Sequence, residues 1–550
     1  MNRNIIINFS NIIDQYEGNS SYIIIGDLYQ INNILNKKAG ENMSEKYVIG
    51  VDLGTTAFKA GLFNDKGIVV CTHTQEHSLM TPAPLTVEQS AENYWKAFKI
   101  SVKGLMEKSH IEKDSVISLS ISAQGETMAF FDRNMNPIGN FIVWMDTRPQ
   151  EEAGIINSWF SADEILNVTG QGKITSLYPA CKVLWVKRNY PEIFQKTFKI
   201  MLLEDYIFYL LTGKICGEGS LWCTSYLWNI NTKKWWNKML YLLDVREDQL
   251  PEIVESTTCL GKIIPSVAEE LGLSENLELV MGGLDQLCGA IGVGNVEPGV
   301  FSESTGAVVA VCTMSNGIVL DRDGELPCFF GAVPGQFMLH AGAKGGIIYR
   351  WLRDVFCTEE LAIQDKGGPS AYQLMDEQAS KIPAGSEGLV VLPYFGGAGA
   401  PETDQYAKGM IYGLGLQHTK PHIIRAFMEA VAVNIYRMVQ YSEKITGKEI
   451  KEIRSLGGGA NSPLWCQIKA DVMGRPVVTM KNVQDAACLG AAIIAGVGIN
   501  LWPSISQIAS EITEIDKVYL PNPENRAAYD ELAEKYALLV DSIKGKTDQL

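Results

Sequence analysis

The sequence has no Cys-x-x-Cys pair, no apolar run near the roughly 20 residues that a bilayer span requires, and too few basic residues to balance its acidic ones. Its 11 cysteines are scattered, which reads as buried, reduced thiols of a cytoplasmic protein. The formal net charge of −16, from 47 basic and 63 acidic residues, argues against nucleic acid or an anionic membrane as a partner. An anionic small molecule stays open, because a pocket can differ in sign from the whole surface. At 550 residues, 46% of them hydrophobic, the chain is too long for one core and implies two or more domains.

Residues 1–42 are rich in Asn and Ile and show neither a helical nor a strand period. Ile5, Ile6 and Ile7 are broken by Asn8 and Ser10 and lack a small-residue cleavage site, so they make a poor secretion signal. Two readings stand: a poorly ordered tail, or translated AT-rich upstream DNA with Met43 as the true start. Ala39-Gly40-Glu41-Asn42 is codable by a purine-rich stretch like a ribosome-binding site. The intact mass of natively expressed protein separates the two.

Glycine-turn hairpins carry the first chemical signal. Tyr47 to Val51 reads as a strand that leads to Asp52 and then Gly54-Thr55-Thr56. A second strand, Phe58 to Phe63, closes on the turn residues 64–67. Such a turn lets backbone N–H groups and Thr hydroxyls approach a phosphate. Asp52 at the strand end suits Mg²⁺, which prefers oxygen ligands and keeps several waters. An ordinary hairpin is the alternative. Residues 299–311 repeat the theme with Ser304-Thr305-Gly306 at the turn, which suggests two related lobes closing on one nucleotide. A third cluster, Gly457-Gly458-Gly459-Ala460, follows a strand at Ile453–Leu456. Ser462 as N-cap and Pro463 then open a helix. A helix N-terminus behind glycines suits the adenosine and α-phosphate of a nucleotide; a tight strand-to-helix turn is the other reading. Pro421 to Gly447 reads as a helix with an apolar stripe. Gly345-Gly346, ahead of a helix bearing Arg350 to Arg353, either flanks the nucleotide or permits close packing.

Gly283-Leu284-Asp285-Gln286 lies where a strand, Leu277 to Met281, meets a helix of small residues. Asp285 there either takes the proton of an attacking hydroxyl or caps its helix. Two further strands, Ser118 to Ser122 and Phe141 to Trp144, end in Gln124-Gly125-Glu126-Thr127 and Asp146-Thr147-Arg148. Strand ends are where α/β folds place ligands. Gln124, Glu126, Asp146 and Arg148 could bracket a polyhydroxy substrate, with Trp144 stacked on its carbon face. Alternatively, Asp146 and Arg148 form a local ion pair that orders a loop.

Taken in order, V-D-L-G-T-T (51–56), W-M-D-T-R (144–148), P-A-C-K-V-L-W-V (179–186), G-L-D-Q (283–286), E-S-T-G-A (303–307), G-M-I-Y-G-L (409–414) with H-I-I-R-A-F-M-E (422–429), and G-G-G-A-N-S-P-L-W (457–465) resemble the FGGY carbohydrate kinases, from about Tyr47 to about Tyr529. The resemblance implies an α/β fold of the actin/Hsp70/hexokinase type, two ribonuclease-H-like lobes with a central ATP and sugar cleft. Residues 45–292 would form the sugar-binding lobe, residues 293–545 the nucleotide lobe, and residues 1–44 a non-family extension. It implies Asp285 as catalytic base and Asp52, with Asp285, as the Mg²⁺-linked carboxylates. Thr55, Thr56, Lys59, Thr305, Gly306, Gly345, Gly458, Gly459 and Ala460 would meet ATP. Gln124, Glu126, Trp144, Asp146, Asp285 and Gln286 would meet a small sugar or polyol. A homodimer is left open.

The chain departs from the family in the pocket. Typical bacterial xylulokinases carry Gln-Met-His-Gly at 124–127, and glycerol kinases carry Gln-Arg-Glu-Thr and a Tyr where this chain has Leu177. Phe427 is a small departure in the second signature. The overall character is xylulokinase-like. Gly125 in place of Arg enlarges the pocket and favours a substrate longer than glycerol. A glycerol or erythritol kinase, a non-catalytic sugar sensor and a protein-directed ATPase are the competing classes. Intact Asp52 and Asp285 speak against the sensor, and the 124–127 and 144–148 segments against the last.

Overall fold

The elements alternate as the hydrophobic periods require, and two sheets of the same design result. The computed structural model describes residues 45–547 apart from 324, 405 and 482. The expectations for residues 1–44 lie outside the described residues. Tyr47–Leu550 makes up one unit.

The first sheet uses β1 (Tyr47–Leu53), β2 (Ala57–Asn64), β3 (Val69–Glu76), β4 (Val116–Ala123), β5 (Cys259–Lys262) and β6 (Glu278–Leu284) in the order β5-β6-β4-β1-β2-β3. The β1-β2-β3 meander is antiparallel, whereas β4 joins β1, and β6 joins β4, in parallel. Parallel neighbours need crossovers, and helix α1 (Ala91–Ser109) belongs to the first of these. Ser90 caps it by accepting from the Asn93 N–H, and Tyr94, Phe98, Val102 and Leu105 form its buried stripe. Helix α2 (Pro179–Asn189) lies in the next crossover, and α3 (Asp285–Gly292) follows β6 directly.

The second sheet repeats the plan. It uses β7 (Val300–Thr305), β8 (Val308–Asn316), β9 (Cys328–Phe330), β10 (Gln336–Lys344), β11 (Glu452–Leu456), β12 (Val477–Met480) and β13 (Ile515–Tyr519), ordered β9-β10-β8-β7-β11-β12-β13. Again an antiparallel meander, β7-β8-β10, adjoins parallel strands, β7-β11-β12. The helices of this half of the chain include α4 (Gly346–Phe356), α5 (Lys420–Thr446), α6 (Pro463–Met473), α7 (Ala486–Gly498) and α8 (Arg526–Ile543). The sequence-based strands and the long helix fall within a few residues of these bounds. The strand expected over Phe141–Trp144 stops at Ile142, so Trp144 sits in a turn.

The division into residues 45–292 and 293–545 does not partition the core. Helix α7, from late in the chain, packs on β1, β4 and β6 of the first sheet and crosses α3. Cys488, Ile493 and Ile494 belong to the same buried cluster as Val48, Ile121 and Leu279. The crossing is backbone on backbone. A Cβ on Gly490 would lie 1.9 Å from the Cys288 carbonyl oxygen, and one on Gly50 would lie 1.9 Å from that of Cys488. The helix that begins with Asp285 is thus seated on the helix that joins the second lobe to the first.

Candidate active site

Asp52 stands near the end of β1, level with Lys59 on β2 and Ser122 on β4. Ser122 donates its hydroxyl to Asp52 Oδ1 at 2.8 Å. Burial raises the Asp52 carboxyl above the usual range, against the pull of that hydrogen bond and of the Lys59 charge. Lys59 Nζ donates to the Gln484 carbonyl at 2.7 Å and pairs with Asp485 at 3.3 Å, so its ammonium is tied to the segment leading into α7. The turn at Gly54-Thr55-Thr56 is half open, with Thr56 exposed.

Asp285 is the first residue of α3, and Leu284 occupies the N-cap position. Its Oδ1 accepts the Gln286 N–H at 2.6 Å. Burial, then the charges of Asp52 and Glu126, push its carboxyl up to about 7. Three acids that sequence reasoning missed lie behind this junction. Glu218 accepts from Ser220 and Ser256, and the Leu284 N–H donates to Ser220 Oγ at 3.0 Å. That chain pins the strand end delivering Asp285. Glu204 and Asp205 are fully buried beside it; burial drives Asp205 to about 8 and Glu218 to about 7, and Glu204 well above its usual range.

The 124–127 and 143–146 segments are bolted together. Thr127 Oγ1 donates to Gln124 Oε1 at 3.0 Å and accepts the Trp144 N–H at 3.1 Å. Lys182 of α2, fully buried, donates to the Glu126 carbonyl at 2.8 Å and the Val143 carbonyl at 3.1 Å. Burial lowers its ammonium to about 7, against the pull of Glu126 and Asp146. A lysine amid the apolar residues of α2 was the sequence signal that could have found it. Glu126 adopts a left-handed φ of 56°, and burial raises its carboxyl despite Thr224 and Lys182. Trp144 Nε1 donates to Thr55 Oγ1 at 2.9 Å, joining this segment to the first phosphate-type turn.

Asp146 has partners of its own. Its carboxylate is fully buried, accepts the Val87 N–H at 2.8 Å and pairs with Arg148, which also reaches Glu88 at 2.8 Å. Of the two sequence readings, the loop-ordering ion pair describes its contacts.

In the second lobe three glycine segments touch. A Cβ on Gly346 would lie 2.2 Å from the Gly306 carbonyl oxygen, and one on Gly459 2.7 Å from Thr305 Cβ. Gly457, at φ 71°, approaches the Thr305 carbonyl as closely as 2.8 Å by the same measure. Gly345 packs on Val309, and Gly458 and Ala460 lie in a short helical turn at the end of β11. Ser462 caps α6 by accepting the Trp465 N–H at 3.0 Å. Thr305 was expected to offer its hydroxyl to a phosphate; it is buried and donates to Glu303 Oε2 at 2.6 Å. Beneath the turn, Lys469 Nζ pairs with Glu303 Oε1 at 2.6 Å and also donates to Ser455 Oγ, with both charged side chains fully buried. Glu303 and Lys469 escaped sequence reasoning because they are far apart in the chain. The one local hint was a lone acid, flanked by Ser302 and Ser304, in β7.

Two family models match this chain: the N-terminal domain of the FGGY family of carbohydrate kinases over residues 47–292 and its C-terminal domain over residues 316–499. Xylulose kinase of Bacillus subtilis is 28% identical over 492 residues, covering 89% of this chain and 96% of that protein. Gluconokinase of Bacillus licheniformis is 27% identical, covering 92% and 97%. A ligand-bound xylulose kinase from Lactobacillus acidophilus superposes with a TM-score of 0.84 at 26% identity, over 92% of this chain and 99% of that one. The repeated sheet design, the two glycine-turn hairpins and these matches lead to one assignment: the chain belongs to the FGGY family of carbohydrate kinases and phosphorylates a sugar at the expense of ATP.

Proposed function

We propose that the substrate is an uncharged ketose of the xylulose type, and that Asp285 is the general base that activates its attacking hydroxyl. The carrying observation is the environment of Asp285: its carboxyl, raised to about 7 by burial and by Asp52, is poised to exchange a proton at neutral pH. Its Oδ1 is fixed by the Gln286 N–H, which leaves Oδ2 to accept from the substrate. Gln124, Glu126 and Gln286 supply polar contacts to the other hydroxyls, and the Trp144 ring supplies an apolar face. The acids Glu126 and Asp285 repel a substrate carboxylate, which favours the ketose over gluconate even though gluconokinases are among the relatives.

The nucleotide lies between the Gly54–Thr56 turn and the cluster of Gly306, Gly345, Gly346 and Gly458 to Ala460. Asp52 and Asp285 suit Mg²⁺, which binds through one or two carboxylates plus substrate phosphates. Among the described residues no group of three or more His, Cys, Asp or Glu could hold a metal by itself, which fits a cation arriving with ATP. Mg²⁺ would neutralise charge on the phosphates. Lobe closure excludes water from Asp285, so that the sugar hydroxyl is the acceptor. Among the described residues no helix is long and apolar enough to cross a membrane. The free cysteines fit a cytoplasmic setting.

A coupled ADP-release assay over pentuloses, hexuloses, polyols and aldonates tests the reading. D-xylulose or a close ketose should give the highest kcat/KM. A clear preference for gluconate or glycerol would overturn it.

A further inference from the structure

The 2.9 Å hydrogen bond between Trp144 and Thr55 connects two segments that otherwise do different work. An indole N–H is a donor only, whereas a Thr hydroxyl has one proton and two acceptor lone pairs. Thr55 Oγ1 is therefore the acceptor, and its own proton must point elsewhere. Among the described residues no protein acceptor takes that proton; the Thr55 hydroxyl's one hydrogen bond there is the one from Trp144. The donor side of Trp144 is equally constrained. Its backbone N–H is held by Thr127 Oγ1, and the carbonyl of Val143 before it by the Lys182 ammonium. Thr127 in turn bonds Gln124, so the ring is oriented by the segment that lines the sugar side.

We propose that Trp144 is a positioning residue for phosphoryl transfer: its indole N–H occupies Thr55 Oγ1 and so turns the Thr55 hydroxyl outward as a ready donor to a phosphate oxygen of ATP. The bond polarises the hydroxyl in the same direction, since donors in a chain strengthen one another. Contact of the sugar with the Trp144 ring is then relayed to the phosphate turn through one hydrogen bond. This rests on the reading that the Gly54–Thr56 turn receives the phosphates.

The test is a kinetic double-mutant cycle on the full chain. Trp144→Phe keeps an aromatic ring and loses the donor; Thr55→Val keeps the shape and loses the hydroxyl. Each single change should lower kcat roughly tenfold, the scale of one hydrogen bond, with the KM for sugar shifted less than about threefold. The double variant should be no slower than Thr55→Val alone, and Thr55→Ser should retain near-parental kcat. A Trp144→Phe loss that is equally large in the Thr55→Val background, or that appears only in the KM for sugar, overturns the relay. An unaffected kcat in Thr55→Val would instead overturn the phosphate reading of the turn. Should Trp144→Phe melt at a much lower temperature, the benzothienyl isostere of tryptophan, which has the same shape without the N–H, replaces it in the cycle with the same expected outcomes.

Discussion

Replacing Asp285 with Asn should abolish most turnover and at the same time stabilise the protein, by an amount that grows with pH. The carboxyl rises from an ordinary 3.8 to about 7 in the folded chain. That is a shift of roughly three pH units at about 1.36 kcal/mol each, so ionised Asp285 opposes folding by on the order of 4 kcal/mol. Because the shift is upward, its stabilising side is fully present below the unfolded value, where both states hold the proton. It is lost as pH rises toward the folded value and stays lost above it. Asn cannot ionise and still accepts the Gln286 N–H through its oxygen. The stability of the variant over the parent in urea should therefore widen by roughly 2–3 kcal/mol between pH 5 and pH 8. In the same preparation kcat for sugar should fall about 10²–10⁴-fold while ATP still binds. The parent's kcat/KM should rise with pH on a limb near 7. A stability difference that is flat with pH would refute the buried ionisation, and a variant with near-parental turnover would refute the base.

Two further perturbations probe the nucleotide lobe. Lys469→Met leaves the Glu303 charge buried without its partner and should lower stability by about 3–5 kcal/mol in denaturant melts, with part recovered by adding Glu303→Gln. Gly346→Ala places a Cβ 2.2 Å from the Gly306 carbonyl oxygen, so it should raise the KM for ATP by roughly tenfold or more while the KM for sugar changes little.

Much of this architecture was written locally. The strands around Gly54 and Gly306 announce themselves because short apolar runs meet glycines and hydroxylated residues, a pattern set over a dozen positions. Asp285 was found by the same logic, at a strand-to-helix junction, though position alone left it balanced against a capping role; the N-cap position falls to Leu284, which makes no side-chain cap hydrogen bond. What escaped depends on partners distant in the chain. Nothing near Glu303 says that a lysine on α6 will pair with it beneath the Thr305 hydroxyl. Nothing near Asp146 decides between sugar and arginine; burial against the Val87 N–H does. Helix α7 is Ala-, Gly- and Ile-rich, with most of its residues buried, so its composition marks it as core without naming the sheet it covers.

That helix has a consequence for how the protein is made. The strands of the first sheet are complete once Leu284 has been synthesised, yet the helix lying on β1, β4 and β6 does not start until Ala486. A nascent chain emerges at about 5–20 residues per second, so this face waits on the order of 10–40 s for its cover. During that interval Val48, Ile121 and Leu279 lack neighbours that the finished protein supplies. A ribosome-bound fragment ending near Gly292 should therefore bind chaperones and resist compaction, and a peptide spanning α7 added in trans should relieve both.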